Sequence, residues 1–217
     1  MPRIVHRYAG TLIYAGGDDV LALVPTETAL ACAKCLRDTY GQSWASDEQG
    51  RERLLMGEKA TLSAGVAVVH YKEDLRVALQ AARAAEKQAK SAGRDALCIR
   101  VVRRSGEDSS AVADWGEVVL LQELVADFRE GVSDRWAYRL RGELPTLEVL
   151  PEPAFRAELR RLLDRIEATE ATRTAFRQRV LALWDGCRQR WRDGAEQRAA
   201  LVTLCQSASF LARGRYQ

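Results

Sequence analysis

Thr11-Leu-Ile-Tyr-Ala-Gly-Gly-Asp-Asp-Val-Leu-Ala-Leu-Val24 is the stretch on which the fold turns. Its two ends are short apolar runs and its middle, Ala15-Gly-Gly-Asp-Asp19, has turn composition, so it predicts two strands joined as a β-hairpin. Gly16 and Gly17 remove side-chain bulk beside two adjacent carboxylates, Asp18 and Asp19, which lets a ligand come close. Adjacent side chains diverge, and such a pair suits hard divalent cations that complete their shell with phosphate oxygens and water. Gly-Gly-Asp-Asp is equally good composition for an exposed turn, so the sequence around it has to decide.

Reading outward, Pro25 stops the second strand because it has no N–H to donate, and Thr26 is placed to cap a helix running to about Trp44, with Leu30, Ala33 and Leu36 at helical spacing. Residues 43–58 are polar and contain glycine, which predicts a loop. Thr61-Leu-Ser-Ala-Gly-Val-Ala-Val-Val-His70 reads as a strand buried on both faces, with Ser63 and Gly65 small enough to admit a close neighbour. An alanine-rich helix over 73–92 presents Leu75, Ala78, Leu79, Ala82, Ala85 and Ala89 as one stripe and is closed by Gly93. Ala96-Leu-Cys-Ile-Arg-Val-Val102 is a further strand, and the Ser/Gly/Asp-containing stretch 103–113 reads as a linker. From Trp115 onward only helical patterns remain, at about 115–130, 134–141, 154–167, 169–191 and 194–213, with Pro145, Pro151 and Pro153 as breaks. A helical bundle is the economical reading of that half.

The 217 residues fit two modest domains, and 47% apolar with 29% charged residues excludes a disordered or collagen-like chain. The longest stretch without a charge, residues 199–212, has 14 residues, short of the roughly 18–20 that a bilayer crossing requires, so no membrane association is expected. Arg3, His6 and Arg7 interrupt any secretory h-region, and five cysteines make an odd number with no regular framework, which together point to the reducing cytoplasm. Cys32-Ala-Lys-Cys35 has no second pair to complete a zinc site and reads as a buried structural pair. A net charge of +3 is too small to imply nucleic-acid binding by itself.

Three motifs in fixed order, Ile13-Tyr-Ala-Gly-Gly-Asp-Asp-Val-Leu-Ala22, Ser63-Ala-Gly-Val-Ala-Val-Val-His-Tyr-Lys72 and Glu86-Lys-Gln-Ala-Lys-Ser-Ala-Gly-Arg-Asp-Ala-Leu97, together with Arg103-Arg-Ser-Gly-Glu107, cover most of residues 11–107. In them the chain resembles the GGDEF/palm superfamily, and more closely the large polymerase-cyclase subunit of type III-B (Cmr) CRISPR effector complexes. Diguanylate cyclases prefer Glu-Phe after the first acid; Asp19-Val20 stands here and favours the CRISPR branch. The resemblance implies an α+β chain: a partial ferredoxin-like palm, an antiparallel sheet with helices, over 1–104, followed by an all-α helical bundle over 105–217.

The same resemblance implies an enzyme, a nucleotidyltransferase that joins ATP units 3′–5′ into cyclic oligoadenylate messengers in antiviral defence. Asp18 and Asp19 would hold Mg²⁺ or Mn²⁺, while Lys90 and Arg94, four residues apart on one expected helix face, would grip the triphosphate. Gly16, Gly17, Ser63 and Gly65 would line the nucleotide pocket, although tight strand-helix packing accounts equally well for Ser63 and Gly65. Implied partners are the other subunits of a type III complex and, through it, crRNA and target RNA. His6 and His70 are the only histidines and neither precedes Asp, so the family's His-Asp nuclease domain is not expected here. A palm also has a central first strand bearing another acid, for which residues 1–10 leave no room, and the sheet is expected to keep an open edge or a vacant central slot. Two other functions remain open from the sequence: a catalytically silent scaffold that binds CRISPR subunits and RNA, and a stand-alone GGDEF-type cyclase using GTP. In the helical half, Trp115, Trp136, Trp184 and Trp191 are expected in the core or at a subunit interface, and Arg156, Arg160, Arg161 and Arg165 are expected on a solvated face with Glu158 and Asp164.

Overall fold

The hairpin forms as its composition dictates. In the computed structural model, which describes residues 1–16, 19–42, 44–46, 49–50, 52–54, 60–103 and 108–213, β1 (Thr11–Gly16) pairs antiparallel with β2 (Asp19–Leu23), Thr11 opposite Leu23 and Gly16 opposite Asp19, with a bulge between Leu12 and Tyr14. A short helix before it, α1 (Pro2–Arg7), packs on β1. Gly10 permits that approach, because a Cβ there would run into the Val5 and Val24 side chains and the Leu23 carbonyl. The chain falls into two units, Met1–Trp115 and Gly116–Gln217.

Helix α2 (Ala29–Tyr40) begins later than Thr26 and ends before Trp44. Residues 26–28 form a turn instead, in which the Thr28 N–H donates to the Pro25 carbonyl (3.0 Å) and the Thr28 hydroxyl to the Tyr8 carbonyl (2.8 Å). The expected loop over 43–58 contains a short antiparallel pair, β3 (Trp44–Ser46) and β4 (Glu52–Leu54). The rest of that stretch lies mostly outside the described residues.

The second sheet is mixed. β5 (Ala64–Val68) runs parallel to β6 (Ala96–Val102), connected by α3 (Leu75–Ser91), and β7 (Asp108–Asp114) lies antiparallel on the far side of β6. The α+β class of the sequence reading holds, and its antiparallel pairing is found in β1–β2, β3–β4 and β6–β7; β5 and β6 run parallel, since a strand-helix-strand connection returns the chain in the same direction. The linker reading is corrected as well: Asp108-Ser-Ser-Ala-Val-Ala-Asp114 is a full strand whose polar start conceals the buried Ala111, Val112 and Ala113. β6 is central, with Ala96, Leu97, Cys98, Ile99 and Val101 fully buried. β5, expected to be buried on both faces, is half-buried at every residue. Among the described residues it pairs with β6 alone, and β1 and β2 form a separate two-stranded sheet.

α3 is capped by Asp74, whose carboxylate accepts the Arg76 N–H at 2.8 Å, and it buries Ala81, Ala85 and Ala89 while Leu75 stays exposed. Alanines face the sheet because helix and strand touch backbone to backbone. A Cβ on Gly65 would strike the main chain of α3 at Ala82, Ala85 and Glu86.

The second unit is all-α: α4 (Trp115–Arg129), α5 (Arg135–Leu147), α6 (Glu152–Asp164), α7 (Glu170–Arg190) and α8 (Gly194–Ala212). Trp136, Phe155, Phe176 and Trp184 form its aromatic core, Trp136 meeting Phe176 edge-on at 5.9 Å and Phe155 tilted against Trp184 at 4.6 Å. The prolines act differently from the sequence expectation. Pro145 lies within the last turn of α5, while Pro151 and Pro153 begin α6, where a missing N–H costs nothing. Arg156 reaches across to Asp185 of α7 rather than into solvent, and Asp164 pairs with Arg177. Glu117 of α4, 4% exposed, meets Arg190 of α7 at 2.9 Å in the space left by the missing side chain of Gly186.

Candidate triphosphate site

The predicted residues that the structure describes lie on the β1–β2 hairpin, at the end of α3 and the turn after it, and at the start of β5. The β1–β2 hairpin presents Asp19 at the first position of β2, exposed and opposite Gly16. Gly17 and Asp18 lie outside the described residues. Gly16 has its own local reason: a Cβ there would collide with the Tyr14 ring, which folds over it and is 55% exposed. Tyr14 thus stands at the acidic turn, a neighbour that turn composition does not reveal.

Lys90 is on the last turn of α3, where its ammonium is hydrogen-bonded to Glu86 at 2.6 Å. That bond and the Glu86 charge raise the Lys90 pKa above the ordinary lysine value, partial burial opposes them, and the Asp19 carboxylate adds to the rise. The charge of Arg94 works the other way. Lys90 is therefore coupled electrostatically to the hairpin acid and to Arg94. Glu86 was not singled out by sequence reasoning, although its position four residues before Lys90 is the usual signal for such a pair.

Arg94 is not on the helix face that its spacing implied. α3 ends at Ser91, and Gly93, Arg94 and Asp95 all take positive φ, +112°, +64° and +44°. The left-handed region costs an L-residue roughly 1–2 kcal/mol, so two consecutive non-glycine residues there need compensation. At this turn the Arg37 guanidinium of α2 donates two hydrogen bonds to the Asp95 carboxylate, 3.2 Å from Nε and 3.1 Å from Nη2.

Ser63 is half-buried just before β5. Gly65 turns its open side to α3, so helix packing fully accounts for its lack of a side chain. As to a metal, Asp19 offers exposed carboxylate oxygens of the hard type that Mg²⁺ and Mn²⁺ prefer, and among the described residues no group of three or more His, Cys, Asp or Glu stands together. Cys32 is buried on α2 and Cys35 half-buried. No helix among the described residues is long and apolar enough to cross a membrane.

The hairpin with its acid, the cationic end of α3 and a sheet backed by helices are in keeping with a palm domain, the class of the family model that the first unit matches. Residues 1–98 match the model of the family described as Cas10/Cmr2, second palm domain. The CRISPR system Cmr subunit Cmr2 of Pyrococcus furiosus is 38% identical over 151 residues, which cover 66% of this chain and 16% of that protein. The chain thus spans about a sixth of the length of this curated relative.

Proposed function

We propose that the chain contributes the metal- and triphosphate-binding half of a nucleotidyl-transfer site to the large subunit of a type III-B CRISPR effector complex, with ATP as substrate and cyclic oligoadenylates as product. The observation that carries this reading is the electrostatic coupling of the Lys90 ammonium to the Asp19 carboxylate and to Arg94, within the segment that matches the Cas10/Cmr2 second-palm model. A metal-bound polyphosphate is a group that needs charges of both signs. Mg²⁺ or Mn²⁺ on Asp18 and Asp19 would supply charge neutralisation at the phosphates. Lys90 would exchange its bond to Glu86 for a phosphate oxygen, and Glu86 keeps it protonated until then. Arg94, planar and always charged, would hold a second phosphate in a fixed orientation. Gly16 and Gly17 would let the nucleotide approach the hairpin backbone, and the Tyr14 ring would border it.

The partners in this reading are the other subunits of the complex and, through them, crRNA and target RNA. In the assembled complex supplied with target RNA, Asp18→Ala combined with Asp19→Ala is expected to abolish metal-dependent ATP consumption while RNA binding survives. If neither property changes, the chain is a scaffold; if GTP is consumed and ATP is not, the adenylate assignment falls.

A further inference from the structure

The Arg37–Asp95 pair joins α2, which follows the acidic hairpin in the chain, to the turn that follows α3. Both side chains are partly exposed, at 33% and 37%, and an ion pair at such exposure contributes little to global stability. Its geometry is nonetheless specific, with two donors of one guanidinium on the two oxygens of one carboxylate. The carboxylate belongs to the second of two consecutive non-glycine residues with positive φ, and the first of them is Arg94. Asp38, next to Arg37 in α2, faces Lys34 at 2.6 Å and lies 3.6 Å from Arg37, so the guanidinium is held from its own helix as well.

We propose that Arg37 is a positioning residue for the triphosphate site: by clamping Asp95 it locks the left-handed turn that carries Arg94 and sets the place of that turn against α2. This rests on the reading of Lys90 and Arg94 as phosphate ligands, and it deepens that reading by naming a residue that acts without touching the nucleotide. Without the clamp, Arg94 relaxes to ordinary negative φ, and its guanidinium leaves the side of Lys90.

The test uses the full 217-residue chain and two readouts. In the nucleotide-free chain, strong intraresidue amide-to-α-proton NOEs at Arg94 and Asp95 mark their positive φ; Arg37→Ala should abolish this signature, Asp19→Ala should keep it, and Arg37→Lys should restore it only in part. Unchanged NOEs in Arg37→Ala overturn the clamp whatever the nucleotide does. In titrations with fluorescently labelled ATP and Mn²⁺, Arg37→Ala should weaken binding about tenfold, the scale of one lost charge-assisted contact. Combined with Arg94→Ala it should add nothing further, while combined with Lys90→Ala the losses should multiply. Weakening by Lys90→Ala and Asp19→Ala with no effect of Arg37→Ala refutes the positioning role and leaves the site standing. Binding indifferent to Asp19→Ala and Lys90→Ala refutes the site, and the positioning role with it.

Discussion

Gly65 shows how much a single missing side chain can hold. On sequence alone its smallness could serve a nucleotide or a helix, and the structure assigns it to the helix, since a Cβ would meet backbone atoms of α3 that cannot swing aside. Gly65→Ala should therefore destabilise the first unit by about 3 kcal/mol, measured by urea unfolding, as expected of overpacking against main chain. Glu86 and Lys90 make a different case. The Lys90 pKa is raised chiefly by its hydrogen bond to Glu86, so its charge persists to higher pH than that of a free lysine. Nucleotide binding that depends on this charge should fall only as pH rises through the raised value. Glu86→Gln should move that fall to lower pH, a shift readable in ATP affinity measured from pH 8 to 11.

At the level of elements, α3 and its two ends matter most. Asp74 begins the helix by accepting the Arg76 N–H, a cap that the sequence reading passed over. Asp74→Ala should fray the first turn, seen as faster amide exchange at residues 75–77. The far end is fixed by Gly93 and by Arg37 from α2, outside the helix altogether. Cysteines report on the same packing. Cys98 on β6 and Cys187 and Cys205 on α7 and α8 are buried, whereas Cys35 on α2 is half-buried. Alkylation of the native chain at pH 8, followed by mass spectrometry, should label Cys35 first and reach the four buried thiols, that of Cys32 on α2 among them, only on unfolding.

For the whole molecule these thiols predict a response to alkali. Burial pushes the Cys98 thiol from its ordinary 9.0 up to about 11 and the Cys205 thiol up to about 12. Because the folded chain keeps these protons longer than the unfolded chain, their contribution is intact below pH 9 and is lost as pH rises from there toward 11–12. The melting temperature should hold level to about pH 9 and then fall, and Cys205→Ala, though less stable at pH 7, should fall less steeply. The two units divide this response, Cys98 reporting on the first and Cys205 on the second.

Alternating and helical patterns are local, and so the hairpin, the alanine-rich helix, the strand after it and the five C-terminal helices could all be read in the chain, along with the motif order that points to the palm class. Long-range partners were not legible. The polar start of β7 looks like a linker until β6 pairs with it, and β5 looks like a doubly buried strand until its single hydrogen-bonded neighbour is seen. Lys90 and Arg94 appear to share a helix face until positive φ ends the helix between them, and Arg37 shows no role until tertiary structure brings residue 95 to it across an interval of 58 residues. Period and composition are properties of neighbours in sequence, whereas the Arg37–Asp95 pairing depends on where two distant segments come to lie.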